Sequence, residues 1–358
     1  MNYVIINGKK STLIKGLLIQ SLPPITKPQM RVKIEEIDGR DGDIITSNGY
    51  QSYDKQMSIG LFGDFDIDQV IEYFNQSGQI IFSNEPDKFY TFDQIAQIDF
   101  ERLARFKTAT VTFHVQPFKR SAVDDYFKVS LNRFNLLISD HSHRGIRIQC
   151  YGGVIHASGT ALTDVEMFVR INPMTLSEGT YTMTAKTSGN GANQCTMRLI
   201  EDMPTDAESF GGQAYTLGND IAQQDTLTEE KTYKYVWLKF LRGETYSFEL
   251  TMKVWDEDTK SMYILNRGNI YARPNITLHG AGNITVSVND EQILSIALGN
   301  TEWITIDCDE MNAYKDGVLK NRIVSGDYSR LILNVGGNTL SWTGEVREIE
   351  LQNVSRWL

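Results

Sequence analysis

A chain of 358 residues exceeds what one hydrophobic core supports, so two or three domains are expected, and 41% hydrophobic with 22% charged residues excludes a disordered or fibrous chain. The formal net charge of -10 disfavours nucleic acid and anionic membrane surfaces as partners, because like charge repels them. Lys9, Lys10 and Lys15 interrupt the N-terminal apolar residues, so no signal peptide is expected, and no apolar run reaches the ~20 residues of a membrane helix.

In chain order, residues 4–6, 29–37, 55–62, 79–83 and 108–115 are rich in β-branched and aromatic residues, are bounded by Gly, Pro, Asn or Asp, and read as strands. Residues 66–76 carry a helical pattern, with Asp66 or Asp68 as N-cap, Ile67, Val70, Ile71 and Phe74 on one face, and Gly78 past the end. A second, short helix is expected over 92–95. Residues 1–125 thus form one β-rich domain with one main helix. After Pro117-Phe118 a new strand series begins, over 144–150, 164–171, 180–186, 195–200, 232–240 and 246–255. Turns at Gly152-Gly153, Gly189-Asn190-Gly191, Gly211-Gly212 and Arg242-Gly243 separate these strands and predict a jelly-roll β-sandwich over 131–258. In 259–358, turns at 266–269 and 280–283 and alternating strands at 284–288, 303–307, 330–335 and 345–351 predict a further sandwich. The expected fold class is mainly β, in three domains.

Three groups of residues, in order, resemble the N-terminal belt domain of siphophage distal tail proteins. They are 37–43 with its Asp38-Gly39 and Asp41-Gly42 turns, Phe82 to Tyr90, and Phe113 to Phe118. Asn266-Arg267-Gly268 with Pro274, Gly280-Ala281-Gly282, Ile306-Asp307, Gly326-Asp327-Tyr328, Gly336-Gly337-Asn338 and the ending Arg356-Trp357-Leu358 resemble that family's C-terminal galectin-like domain. The resemblance implies a hexameric ring closed by belt domains at the virion tail tip, assembled in the host cytoplasm. It also implies a tail-tube protein docked on one side and a tail-associated lysin or baseplate hub protein on the other. The middle segment departs from the plain family and is similar to the carbohydrate-binding-module insertions of enlarged members, on its architecture and on Gly179-Thr180-Tyr181 and 242–246. That likeness implies host cell-wall polysaccharide as a further partner.

Sugar recognition stacks aromatic faces on pyranose rings beside amides and carboxylates. In the strand over 232–240, Tyr233, Tyr235 and Trp237 share one side and Val236, Leu238 and Phe240 the other, so an aliphatic core side would turn the aromatic row outward. Trp255 follows Glu249, Thr251 and Lys253 on the polar side of its strand, opposite Phe248, Leu250, Met252 and Val254. The alternative, packing of these rings in a core or between domains, stays open because such rings are commonly buried. Asp140, His141 and His143 read as a solvated turn rather than a metal site, and Asp38, Asp41 and Asp43 lack the terminal Glu of an EF-hand. Cys150, Cys195 and Cys308 have no zinc or redox spacing and read as small buried hydrophobes. Glu201, Asp202, Asp206 and Glu208 are carboxylates that a glycoside hydrolase would need, but they lie in a Pro- and Gly-containing loop. No GxSxG, P-loop or HExxH motif occurs, so neither an enzyme nor a cofactor is expected. A lectin-like adhesin outside a phage is the other reading, and it leaves the belt motifs without a purpose.

Overall fold

The computed structural model describes residues 2–358 apart from 40, 97, 100–102, 106, 124, 204–208 and 300–301. It is mainly β, with antiparallel ladders throughout. The long strand Thr108–Ser121 alternates buried Val111, Phe113 and Val115 with half-buried polar residues, and pairs with Tyr53–Leu61 on one edge and Lys88–Ile95 on the other. The sheet extends through Gly78–Phe82 and Val4–Ile6 to Lys9–Lys10, and at its other side to Leu17–Ser21. Phe82, Phe92 and Phe113 meet edge-on at its centre. The helix Ile67–Phe74 starts at Asp66, whose carboxylate accepts from the N–H groups of Asp68 and Gln69. It buries Val70, Tyr73 and Phe74, while Ile71 stays exposed; the Tyr73 hydroxyl donates to the carbonyls of Val4 and Lys9. The helix expected over 92–95 does not form. Those residues end the strand Lys88–Ile95, where pairing with Thr108–Ser121 claims the backbone groups that a helix would use.

A second core lies between a six-stranded and a four-stranded sheet. The first runs Ser139–His143, Ile146–Tyr151, Val154–Thr160, Thr245–Asp256, Gly179–Asn190, Ile221–Leu227; the second runs Val165–Leu176, Lys231–Phe240, Cys195–Ile200, Tyr215–Thr216. Alternation along each strand sends one set of side chains between the sheets and the other to the outside.

A third core forms around the strands Gly336–Gln352 and Asn275–Val288. The turn expected at 280–283 is absent. The strand Asn275–Val288 runs through it with register shifts after His279 and Ala281, and a Cβ on Gly280 would fall 2.1 Å from the Glu345 carbonyl, so glycine serves close strand approach here rather than a reversal. The strand expected over 330–335 is likewise absent. Asp327 caps a 3-10 turn at Tyr328–Arg330, Leu331 and Leu333 are buried from irregular backbone, and the Asn338 amide closes that loop on the Asn334 carbonyl at 2.8 Å.

Edge strands tie the units together. Tyr126–Ser130 pairs along one edge of Gly336–Gln352, and Ser261–Asn266 pairs farther along the same edge, in line with it. Between them Leu131 N–H donates to Arg347 and Trp342 N–H donates to Lys260, so the middle sandwich leaves and re-enters within one strand line. At the chain end, Arg356–Trp357 pairs back onto Thr108–Ser121 of the first sheet. The buried Arg356 guanidinium lies 4.0 Å over the Phe118 ring and bonds Asp309 at 2.9 Å, which fastens the last unit to the first. All three cysteines are free and buried; burial pushes the Cys195 thiol up to about 12. Among the described residues no helix is long and apolar enough to cross a membrane.

Candidate functional site

Among the described residues the strands Met30–Glu35 and Ile44–Tyr50 pair only with each other and form a ribbon separate from the main sheets. Turn glycines Gly39 and Gly42 take positive φ in the connecting loop, as their Asp-Gly dipeptides require. At the ribbon base Gln51 N–H donates to the Gln29 carbonyl. Met30, Val32, Ile34 and Ile45 are exposed, and Ile34 and Ile45, directly paired, remain 56% and 65% accessible. An isolated two-stranded ribbon is marginal in water, and contiguous apolar side chains on one mark an interaction surface.

The aromatic row of the middle sandwich is corrected by the structure. Val236, Leu238 and Phe240 line the core as expected, but Tyr233 is only 1% exposed and sits in the same core, edge-on to Phe210 at 5.8 Å. Both paired strands are irregular there. Their ladder breaks between the Arg170–Tyr235 and Met174–Tyr233 pairs, beside Pro173, which offers no N–H, and across the break inside and outside exchange parity on each strand. Trp237 keeps the outward parity yet is only 5% exposed, because the Arg198 guanidinium lies 5.2 Å over its ring and its indole N–H donates to Glu166 at 3.2 Å. Tyr235 is half-buried and edge-on to Phe168. No continuous exposed row exists there.

Trp255 points away from its own core as its alternation predicts, but it packs against the last unit. Its ring contacts the third core, lies under Arg347 at 4.9 Å, and donates its indole N–H to Thr184. With Arg347–Glu257 at 2.8 Å and Arg133–Asp256 at 2.7 Å it makes the joint between the two sandwiches.

The open face of the six-stranded sheet gathers residues that the sequence names only singly or not at all. Register pairs align Asp140, Gln149, His156, Glu249 and Ser188 in one row across five strands. Arg147 clamps Asp140 through Nε at 3.0 Å and Nη2 at 2.6 Å, and Gln149 Nε2 donates to the same carboxylate at 3.1 Å. His156 Nδ1 is 3.4 Å from Glu249, and the Tyr151 ring, 52% exposed, stacks on the imidazole at 4.1 Å. Strand alternation puts His141 and His143 on the side opposite Asp140, so the three do not converge on a metal. The alternation in residues 146–160 was the available signal, but the row joins strands that only the tertiary register brings together.

Two acidic groups need no ion or catalysis to account for them. His279, Glu348 and Glu350 lie close enough to share a cation, yet the Lys128 ammonium sits 2.7 Å from both carboxylates, and its hydrogen bond holds the Glu350 carboxyl below its usual range. Glu201 and Asp202 face Lys231 and Lys234, and Asp206 and Glu208 lie outside the described residues.

Residues 6–115 match the family of phage tail protein RIFT-related domains. No curated protein sequence matches the chain. Among solved structures it is similar to the Dit protein of phage SPP1, described as a paradigm of the hub adsorption apparatus of phages infecting Gram-positive bacteria, at 14% identity over 70% of this chain and 99% of that one, TM-score 0.28. It is also similar to chains of the phage P2 baseplate in its activated conformation. With calcium the figures are 10% identity over 100% and 98%, TM-score 0.36; with strontium they are 11% over 98% and 96%, TM-score 0.37. Scores this low place no residue of this chain.

Proposed function

We infer that this chain, a phage tail structural protein of the distal tail type whose first domain is the RIFT-related domain of phage tail proteins, forms a closed ring at the tail tip. The observation that carries the ring is the ribbon Met30–Tyr50, whose exposed Ile34 and Ile45 find no core among the described residues of their own chain. Its occupant is a second copy of this chain. Each protomer offers a ribbon, which leaves the first sheet between its paired strands Leu17–Ser21 and Tyr53–Leu61, and an edge of that sheet at Lys9–Lys10 on the opposite side, so a head-to-tail contact repeated with closing rotation gives a ring, six-membered by the resemblance. Such a ring docks a tail-tube protein on one side and a tail-associated lysin or baseplate hub protein on the other. The role is structural and not enzymatic.

The middle sandwich is an insertion, supported by the single strand line that residues 126–131 and 260–266 share against Gly336–Gln352. It lies outside that line, where several copies on one ring would reach the host surface and bind cell-wall saccharide with avidity ~10²–10⁴ above the single site. Light scattering and negative-stain microscopy of the full chain test the ring. The wild type should form rings, alone or with the tail-tube protein, and a folded Ile34→Asp/Ile45→Asp chain should stay monomeric. Wild-type monomers under both conditions, or rings from the double variant, would overturn the reading.

A further inference from the structure

We propose that the open face of the six-stranded sheet, centred on Asp140, Gln149, His156, Glu249 and Ser188, binds a neutral, hydroxyl-rich saccharide chain with Tyr151 as the stacking platform. This rests on the reading that the inserted sandwich binds host saccharide, and places the site on the sheet opposite the one carrying Tyr233, Tyr235 and Trp237.

The row crosses five adjacent strands, about 19 Å at the ~4.8 Å spacing of neighbouring strands, which suits an extended polymer rather than one sugar ring. Its floor is low. The neighbouring register row holds the short, exposed Ser142, Ser158, Ser247 and Asn190, with Arg147 laid against Asp140, so Asp140, Gln149 and Glu249 are not overhung from that side.

Charge complementarity selects the ligand class. Asp140 is paired with Arg147, and Glu249 accepts from Ser188 Oγ at 3.5 Å and stands 3.4 Å from His156 Nδ1, so both carboxylates are engaged within the face rather than gathered into a cluster that would attract a cation. A protein partner would need an apolar centre, and apart from Tyr151 this row has none. What the face offers is fixed donors and acceptors. The planar Arg147, Asp140 and Gln149 groups hold one another through three hydrogen bonds, so a hydroxyl pair meets them with little further loss of side-chain freedom. His156 Nε2 is buried without a hydrogen-bond partner, next to the exposed Tyr151 ring that covers the imidazole. The exposed Tyr151 ring, backed by the stacked imidazole and flanked by ordered polar groups, matches a pyranose, with its apolar C–H face and equatorial hydroxyls.

The test uses the full chain carrying an N-terminal fluorophore and isolated bacterial cell walls, scored before and after periodate, which cleaves the vicinal diols of sugars. Wild-type chain should be retained in a periodate-sensitive manner. Tyr151→Ala and Arg147→Ala, shown folded by circular dichroism, should each weaken retention about tenfold, equivalent to roughly 1.4 kcal/mol, while Tyr235→Ala on the opposite sheet should not. Periodate-sensitive retention that both folded variants keep in full, with or without loss in Tyr235→Ala, overturns this face and leaves the broader saccharide reading standing. Absence of periodate-sensitive retention by the wild type on every wall tested overturns that reading and the face with it.

Discussion

Glu85→Gln probes the charge cluster buried under the first sheet. Glu85 Oε1 accepts from Lys119 Nζ at 2.9 Å and Oε2 from the Tyr90 hydroxyl at 2.5 Å, while Lys55, with its ammonium 4.7 Å over the Tyr90 ring, donates to the Pro24 carbonyl. All three charged residues are buried, so one carboxylate compensates two ammoniums. Burial works to raise the Glu85 carboxyl, but the bonds from Tyr90 and Lys119 and the nearby lysine charges outweigh it and leave it below its usual range. Glutamine keeps the shape and removes the charge. Breaking a buried pair from one side costs about 3–5 kcal/mol. Lys55 can relieve its part, because burial has already lowered it to about 8 and releasing its proton at pH 7 costs only about 1.4 kcal/mol. Lys119 loses the charge of the carboxylate that accepts its hydrogen bond, so with Lys55 relieved the lower end, about 3 kcal/mol, is expected. Hydrogen exchange of the full chain reads this locally. Amides of Lys88–Ile95 and Thr108–Ser121 should exchange on the order of 100-fold faster, with those of Thr245–Asp256 unchanged. Exchange within threefold of wild type in the first sheet would refute the idea that the carboxylate compensates buried charge.

Other consequences follow from the same physics. Because the folded Lys55 binds its proton less tightly than the unfolded chain does, the unfolded state holds more protons between about pH 8 and the ordinary lysine range. The first unit should therefore gain roughly 1–2 kcal/mol between pH 8 and 9.5 in urea unfolding, and Lys55→Met should flatten that rise. Trp255→Ala should cost about 2–3 kcal/mol at the joint and speed limited proteolysis near 131–133 and 256–260, with the sandwich cores intact by circular dichroism. Deleting residues 132–259 should leave a folded, ring-competent remainder when Leu131 and Lys260 are bridged by about four residues. Their partners Arg347 and Trp342 stand five positions apart, about 17 Å of strand, so direct joining should fail, and a soluble ring from the directly joined chain would count against the insertion geometry.

Local chemistry in the sequence determined the mainly β class, the Asp66-capped helix, the Asp-Gly turns at 38–42 and the inward faces at Val236, Leu238 and Phe240, because caps, turns and alternation depend on near neighbours along the chain. Alternation also put Trp255 on the outer side of its strand, but which neighbour covers it depends on how two sandwiches meet. Tyr233 turned inward because a break opposite it, beside Pro173 some sixty residues away in sequence, reversed the parity of the ladder. The same dependence on partners carried a strand through Gly280 and gathered Asp140, Gln149, His156, Glu249 and Ser188 into one row. Period-2 patterning fixes which side a residue takes as long as its strand stays regular. Register between distant strands fixes what it stands beside, and that is settled only when the sheets assemble.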